Sequence, residues 1–135
     1  MKKAILFFCT LSLSAMFLAS CSKEDEGEEL RLSFKTGGSY VSADTTIADG
    51  TTILIGVEGE TEKAKDPIIK FNITESVNGA LGSTIYTEDL EDTEYEYDLS
   101  YTLDDATSGN THDLTFTITN RDGLNEQVSL TVTVQ

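Results

Sequence analysis

Three stretches of this chain alternate apolar and polar residues with a period of two, and that alternation constrains the fold more than any other feature. Tyr95, Tyr97, Leu99, Tyr101 and Leu103 are separated by Glu96, Asp98, Ser100 and Thr102. Leu114, Phe116 and Ile118 are separated by Thr115 and Thr117, and Val128, Leu130, Val132 and Val134 by Ser129, Thr131 and Thr133. Successive side chains of a strand point to opposite faces, so such runs bury one face and wet the other. A helix needs apolar residues three and four apart, and these runs place polar residues there. The interleaved Thr residues also favour strand. Weaker runs follow the same rule: Leu30–Phe34, Ile53/Ile55/Val57, Ile69/Phe71/Ile73 and the shorter Thr84–Glu88. Turn signals fall between them at Gly37-Gly38, Asp49-Gly50, Asp66-Pro67, Asn78-Gly79, Ser108-Gly109-Asn110 and Asp122-Gly123.

Seven short strands from Leu30 onward predict an all-β domain over residues 30–135, a seven-stranded antiparallel sandwich of the immunoglobulin type. The last two strands should form a hairpin across Asn120–Asn125. The domain contains no Trp and no Cys, so the expectation is an Ig-like architecture without the buried Trp and disulfide of antibody domains. Its stability must come from packing alone.

The first 20 residues are of a different kind. Lys2 and Lys3 precede a mostly apolar stretch, and no Asp or Glu occurs before position 24. A basic start, a short apolar run and small residues at its end make a secretory signal peptide. Thr10, Ser12 and Ser14 interrupt the run, which is too short for a membrane span of ~20 apolar residues. Residues 1–20 are therefore read as a signal peptide cleaved between Ser20 and Cys21. Of the two Cys, Cys9 lies inside the removed segment. Without Lys2 and Lys3, seven basic residues face 24 acidic ones, a net charge of −17. That balance argues against nucleic acid as a partner, which needs Lys and Arg to displace counterions. Residues 21–29 contain Ser-Lys-Glu-Asp-Glu-Gly-Glu-Glu and are read as a short acidic tether.

Leu18-Ala19-Ser20-Cys21 resembles the lipobox of bacterial lipoproteins. The resemblance implies a diacylglycerol on the Cys21 thiol and palmitate-type acylation of the new N-terminus, hence membrane attachment without a span. Ser22, Lys23, Glu24, Asp25 and Glu26 resemble the acidic export signal of Bacteroidetes lipoproteins, which implies an outer-membrane protein on the cell surface. The run Thr115–Gly123 followed by Val128–Val134 resembles the C-terminal hairpin of the Ig-like or PKD-like domains common in such surface lipoproteins. These resemblances bear on fold and cellular context and specify no activity. They imply a non-catalytic interaction or structural module, with a small glycan-binding lipoprotein of a nutrient-uptake system as the alternative.

Chemistry is sparse. His112 is the only His, and a lone His without Cys suits neither a catalytic triad nor a zinc site. No Gly-rich phosphate loop occurs. Glu88, Asp89, Glu91 and Asp92 read as a solvated loop between strands rather than paired catalytic carboxylates. Asp104, Asp105 and Asp122 lie in turns that one end of a sandwich could gather around calcium, although no EF-hand spacing is present. Tyr95, Tyr97 and Tyr101 share a face with Leu99 and Leu103 and are expected in the core with hydroxyls at its rim. Tyr40 and Tyr86 are the freer candidates for a sugar-binding face. No enzyme activity, cofactor, catalytic residue or metal ligand is assigned.

Overall fold

The computed structural model describes residues 29–135. The expected signal peptide over residues 1–20, Cys21 and the Ser22–Glu26 run lie outside the described residues. Eight strands follow in order: β1 (Leu30–Phe34), β2 (Thr45–Ile47), β3 (Thr52–Thr61), β4 (Ile68–Val77), β5 (Ser83–Asp92), β6 (Glu94–Thr102), β7 (Thr111–Asn120) and β8 (Asn125–Val134). They form two sheets, one of order β1-β3-β6 and one of order β2-β8-β7-β4-β5. The domain is an all-β sandwich. The expected seven antiparallel strands become eight in a partly mixed arrangement, because β2 pairs in parallel with Val132–Val134 of β8. Three residues are too short to show a period, so the sequence carries no signal for β2.

The alternating residues meet between the sheets. Ile55, Val57, Phe71, Ile73, Leu114, Phe116, Ile118 and Val132 are completely buried there. Register places Ile73 opposite Phe116 and Phe116 opposite Val128, so the centre of the larger sheet is three apolar side chains wide. The sheets approach closely at Gly59, where an added Cβ would lie 3.0 Å from Ile118 Cδ1. β4 carries a register shift between Ile68 and Lys70. It turns Ile68 fully inward and leaves Ile69, the expected core residue, half-buried.

Three further expectations are corrected. Glu88, Asp89, Glu91 and Asp92 belong to β5, whose pairing with β4 runs out to Asp92 opposite Ile68, so they are strand residues rather than a loop. Only Thr93 separates β5 from β6. Thr117 points to the outer face as expected, yet it is buried, flanked by Asn72 on β4 and Gln127 on β8. Glu29, placed at the end of the tether, is buried against the domain, and its carbonyl accepts the Glu62 amide at 3.0 Å.

Candidate functional site

The inward face of β7 reads His112, Leu114, Phe116, Ile118, Asn120. Its middle is apolar and both ends are polar. Polar side chains therefore enter the inter-sheet space at each end of the sandwich, and each end carries its own cluster.

At the first end, His112 is buried with both ring nitrogens engaged. Nδ1 lies 2.8 Å from Glu75 Oε1 and Nε2 lies 3.1 Å from Asp105 Oδ2. Tyr101 donates its hydroxyl to Glu75 Oε1 at 2.7 Å. Asn110 Nδ2 and the Thr107 amide both donate to the Asp105 carboxylate, at 2.8 Å each. These donors, Asn110 first, hold the Asp105 carboxyl down at about 2. Burial pushes the His112 imidazole towards its neutral form. The hydrogen bonds to Glu75 and Asp105 outweigh burial, and the net displacement is upward from 6.5. Asp105 is thus fully occupied as an anchor for His112, and Asp122 lies beyond the opposite end of β7. The cation site anticipated from Asp104, Asp105 and Asp122 does not assemble.

At the second end, β1 begins beside the β3–β4 loop (residues 62–67) and the β7–β8 turn (residues 121–124). Arg121 ties these together: its amide donates to Pro67 O at 2.9 Å, its Nη1 donates to Lys65 O at 3.3 Å, and its Nη2 pairs with Glu91. The Asn120 side chain accepts the Leu124 amide at 2.9 Å, closing the turn. Within this frame Glu29, Asp66 and Asp122 each place one carboxylate oxygen within 4.8 Å of the other two. Lys63 Nζ lies 2.6 Å from Glu29 Oε2, and Lys65 Nζ lies 3.6 Å from Asp66 Oδ2. The bond to Glu29 raises the Lys63 ammonium above its ordinary range. Neither Glu29 nor Asp66 sits in a recognisable ligand spacing, so the sequence carries no signal for them. Asp122 alone is an expected ligand, and with Asp104 and Asp105 as its partners.

The Tyr residues are mostly spoken for. Tyr86, Tyr95 and Tyr97 pack around Phe71, with ring centroids 6.0, 4.9 and 5.2 Å from it, and Tyr86 lies 4.5 Å from Tyr97. Tyr95 and Tyr86 both donate to Glu88 Oε2 at the rim, at 2.6 and 3.1 Å. Tyr101 is buried. The rim hydroxyls agree with the expectation for Tyr95 and Tyr101, whereas Tyr86 is a partner of the core rather than a free ring. Tyr40 lies over Gly56, where a Cβ would meet its Cε1 at 2.5 Å, and its hydroxyl donates to Asp98 at 3.1 Å. A groove of about 560 Å³ runs along the β1–β3–β6 sheet, with Glu58, Glu60, Glu94, Glu96 and Glu126 among its lining residues.

No protein-family model and no curated protein matches this chain. Among solved structures it is similar to the crystal structure of Spo0M, a sporulation control protein from Bacillus subtilis, at 9% identity and a TM-score of 0.46. That match covers 79% of this chain and 49% of the other, so this chain spans about half the length of that protein.

Proposed function

We propose that this chain is an outer-membrane lipoprotein, anchored through Cys21 and displayed on the cell surface, whose Ig-like sandwich is a non-catalytic interaction or structural module. The observation that carries the reading is the sequence Leu18-Ala19-Ser20-Cys21 followed by the acidic run to Glu26. The strand order supports the Ig-like part: β8-β7-β4-β5 facing β1-β3-β6 corresponds to the GFC sheet with its added strand facing the A, B and E strands of that fold. The non-catalytic part is supported by His112, whose nitrogens are both committed to carboxylates inside the fold. The alternative, a glycan-binding lipoprotein, would need an open aromatic face; Tyr86, Tyr95 and Tyr97 are half-buried around Phe71, and half-buried Tyr40 lies over Gly56 with its hydroxyl on Asp98.

The geometry also suits display. The chain enters the sandwich at the end carrying Glu29, so the β4–β5 turn is at the far end. Eight residues from Cys21 to the start of the domain can extend about 25–30 Å. The far turn presents Leu81, which is 99% exposed, as a contact point away from the anchor. Palmitate labelling and protease shaving of intact cells test the reading together. Cys21→Ala should lose the radiolabel and Cys9→Ala should keep it. The native protein should be digested on intact cells, and a lipidated variant with Lys23, Glu24, Asp25 and Glu26 changed to Ala should be protected. Label persisting without Cys21 would refute the anchor. Native protein surviving a protease that strips a known surface marker would place it in the periplasm.

A further inference from the structure

We infer that Glu29, Asp66 and Asp122 form a binding site for a hard divalent cation, calcium by its ligand chemistry, at the end of the sandwich where the chain enters β1. The donor set is all oxygen, with no His or Cys among the three, which suits calcium rather than zinc. Calcium bonds oxygen at about 2.3–2.6 Å, so ligands on opposite sides of one ion stand about 4.6–5.2 Å apart. The three oxygens lie within 4.8 Å of one another, a spacing that one ion can bridge with a small inward movement of the exposed Asp122 side chain.

Proximity of acids alone would not make a site. The second observation is burial without partners. Glu29 and Asp66 are each only 6% exposed, and both carry an oxygen shut off from solvent: among the described residues Glu29 Oε1 has no partner at all, and Asp66 Oδ2 accepts no hydrogen bond and has only the Lys65 ammonium 3.6 Å away. A buried carboxylate oxygen with nothing bound to it is unfavourable, because water has been lost and nothing replaces it. A bound cation supplies the missing partner. Asp122 is exposed and gives the ion a route in, together with the water ligands that complete six to eight coordination.

Two lysines stand where a cation would reduce their role. Lys63 bonds Glu29 through the oxygen other than the unpartnered one, and Lys65 approaches Asp66 at 3.6 Å. Their side chains are 48% and 78% exposed, so both can swing into water when calcium enters. The ligands come from three separate segments, each already fixed by its backbone. Glu62 N donates to Glu29 O at 3.0 Å, Asp66 N to Lys63 O at 2.9 Å, and Gly123 N to Asn120 O at 3.0 Å. Binding therefore staples the start of β1 to the loop that joins the two sheets and to the β7–β8 turn, at the point where any pull on the N-terminal segment would arrive.

The test uses purified full-length protein in detergent, dialysed against chelator, with CaCl2 titrated at constant ionic strength. Melting temperature and heat of binding are followed together. Calcium should bind with one ion per chain and raise the melting temperature, with half-saturation in the range of extracellular calcium modules, about 0.1–1 mM. Magnesium, which dehydrates reluctantly and demands octahedral geometry, should do less at the same concentration. Asp66→Asn and Asp122→Asn should each weaken calcium binding about tenfold or more, since affinity follows ligand charge. Asp89→Asn, on the far edge of β5, should leave it unchanged. Lys63→Gln should tighten binding by removing the internal competitor, and this arm decides the matter if an Asp variant fails to fold. Absence of a calcium-dependent shift up to about 10 mM, or an unaltered shift in the two Asp variants, overturns the site.

Discussion

His112 sits between Glu75 and Asp105 with 6% of its surface exposed, and its protonation links the fold to pH. Its folded-state value is raised above 6.5, so the stability it contributes is complete below pH 6.5 and disappears as pH climbs through the folded value. Asp105 behaves oppositely. Its folded value is depressed to about 2, so its contribution is present above 3.8 and fades as pH drops towards about 2. The cluster therefore works best between about pH 4 and 6.5. Melts at intervals from about pH 5 to 9 should show the native protein losing stability towards the alkaline side, with His112→Gln showing a flatter profile. His112→Ala, which leaves two carboxylates facing each other without their cation, should cost about 3 kcal/mol near pH 6. A native profile as flat as the variant's would mean that the imidazole titrates alike in the folded and unfolded chain, and stability rising through this range would mean that it is held neutral inside the fold.

β7 is the central element, paired on one side with β4 and on the other with β8. A central strand has neighbours on both outer flanks, so its two faces are less unequal than alternation suggests. Phe116 is completely buried, and Phe116→Ala should cost about 3–5 kcal/mol. Ser129, exposed on β8, should cost under about 0.5 kcal/mol when changed to Ala. Thr117 falls between: its hydroxyl accepts Gln127 Nε2 at 3.0 Å beneath the outer-face side chains, so Thr117→Ala should cost about 1 kcal/mol. Chemical denaturation of the three variants checks the ranking. Equal losses for Phe116 and Ser129 would invert the faces. β5 shows a different use of acids. It is the outer strand of its sheet, and Asp89, Glu91 and Asp92 keep that free edge charged, which discourages pairing with another chain.

The molecule as a whole carries a formal charge of −15, unevenly spread. On the outer face of the smaller sheet, Glu58 stands opposite Glu96 and Glu60 opposite Glu94, with Asp98 next in line. Arg31 bridges Glu60 and Glu62, and Lys35 bridges Glu96 and Asp98, which offsets only part of the repulsion. Like charges directly across a strand pair are destabilising, and at low salt they act over long range. Raising NaCl from about 10 mM to about 1 M shortens the screening length from about 30 Å to about 3 Å. The melting temperature should rise over that range in the absence of any divalent cation. A fall would mean that attractive ion pairs such as Arg121–Glu91 outweigh the repulsion.

Alternation by itself determined that this domain is all β, because a period of two gives a chain one buried face only when it is extended. It also identified Leu114, Phe116, Ile118, Leu130 and Val132 as core, and the absence of Cys beyond position 21 removed disulfides from consideration. The tertiary structure decided everything that rests on distant residues coming together. β2 exists because Thr45–Ile47 finds the free edge of β8, not because three residues prefer to be strand. The parity of β4 changes at a register shift that no local pattern marks, so Ile68 rather than Ile69 is buried. His112 becomes a structural link only once β4 and the loop before β7 bring Glu75 and Asp105 to its two nitrogens. Glu29, Asp66 and Asp122 look like ordinary acids of a tether, a loop and a turn in the sequence. They become one cluster because the start of β1, the β3–β4 loop and the β7–β8 turn all end at the same end of the sandwich, an adjacency set by strand order and register.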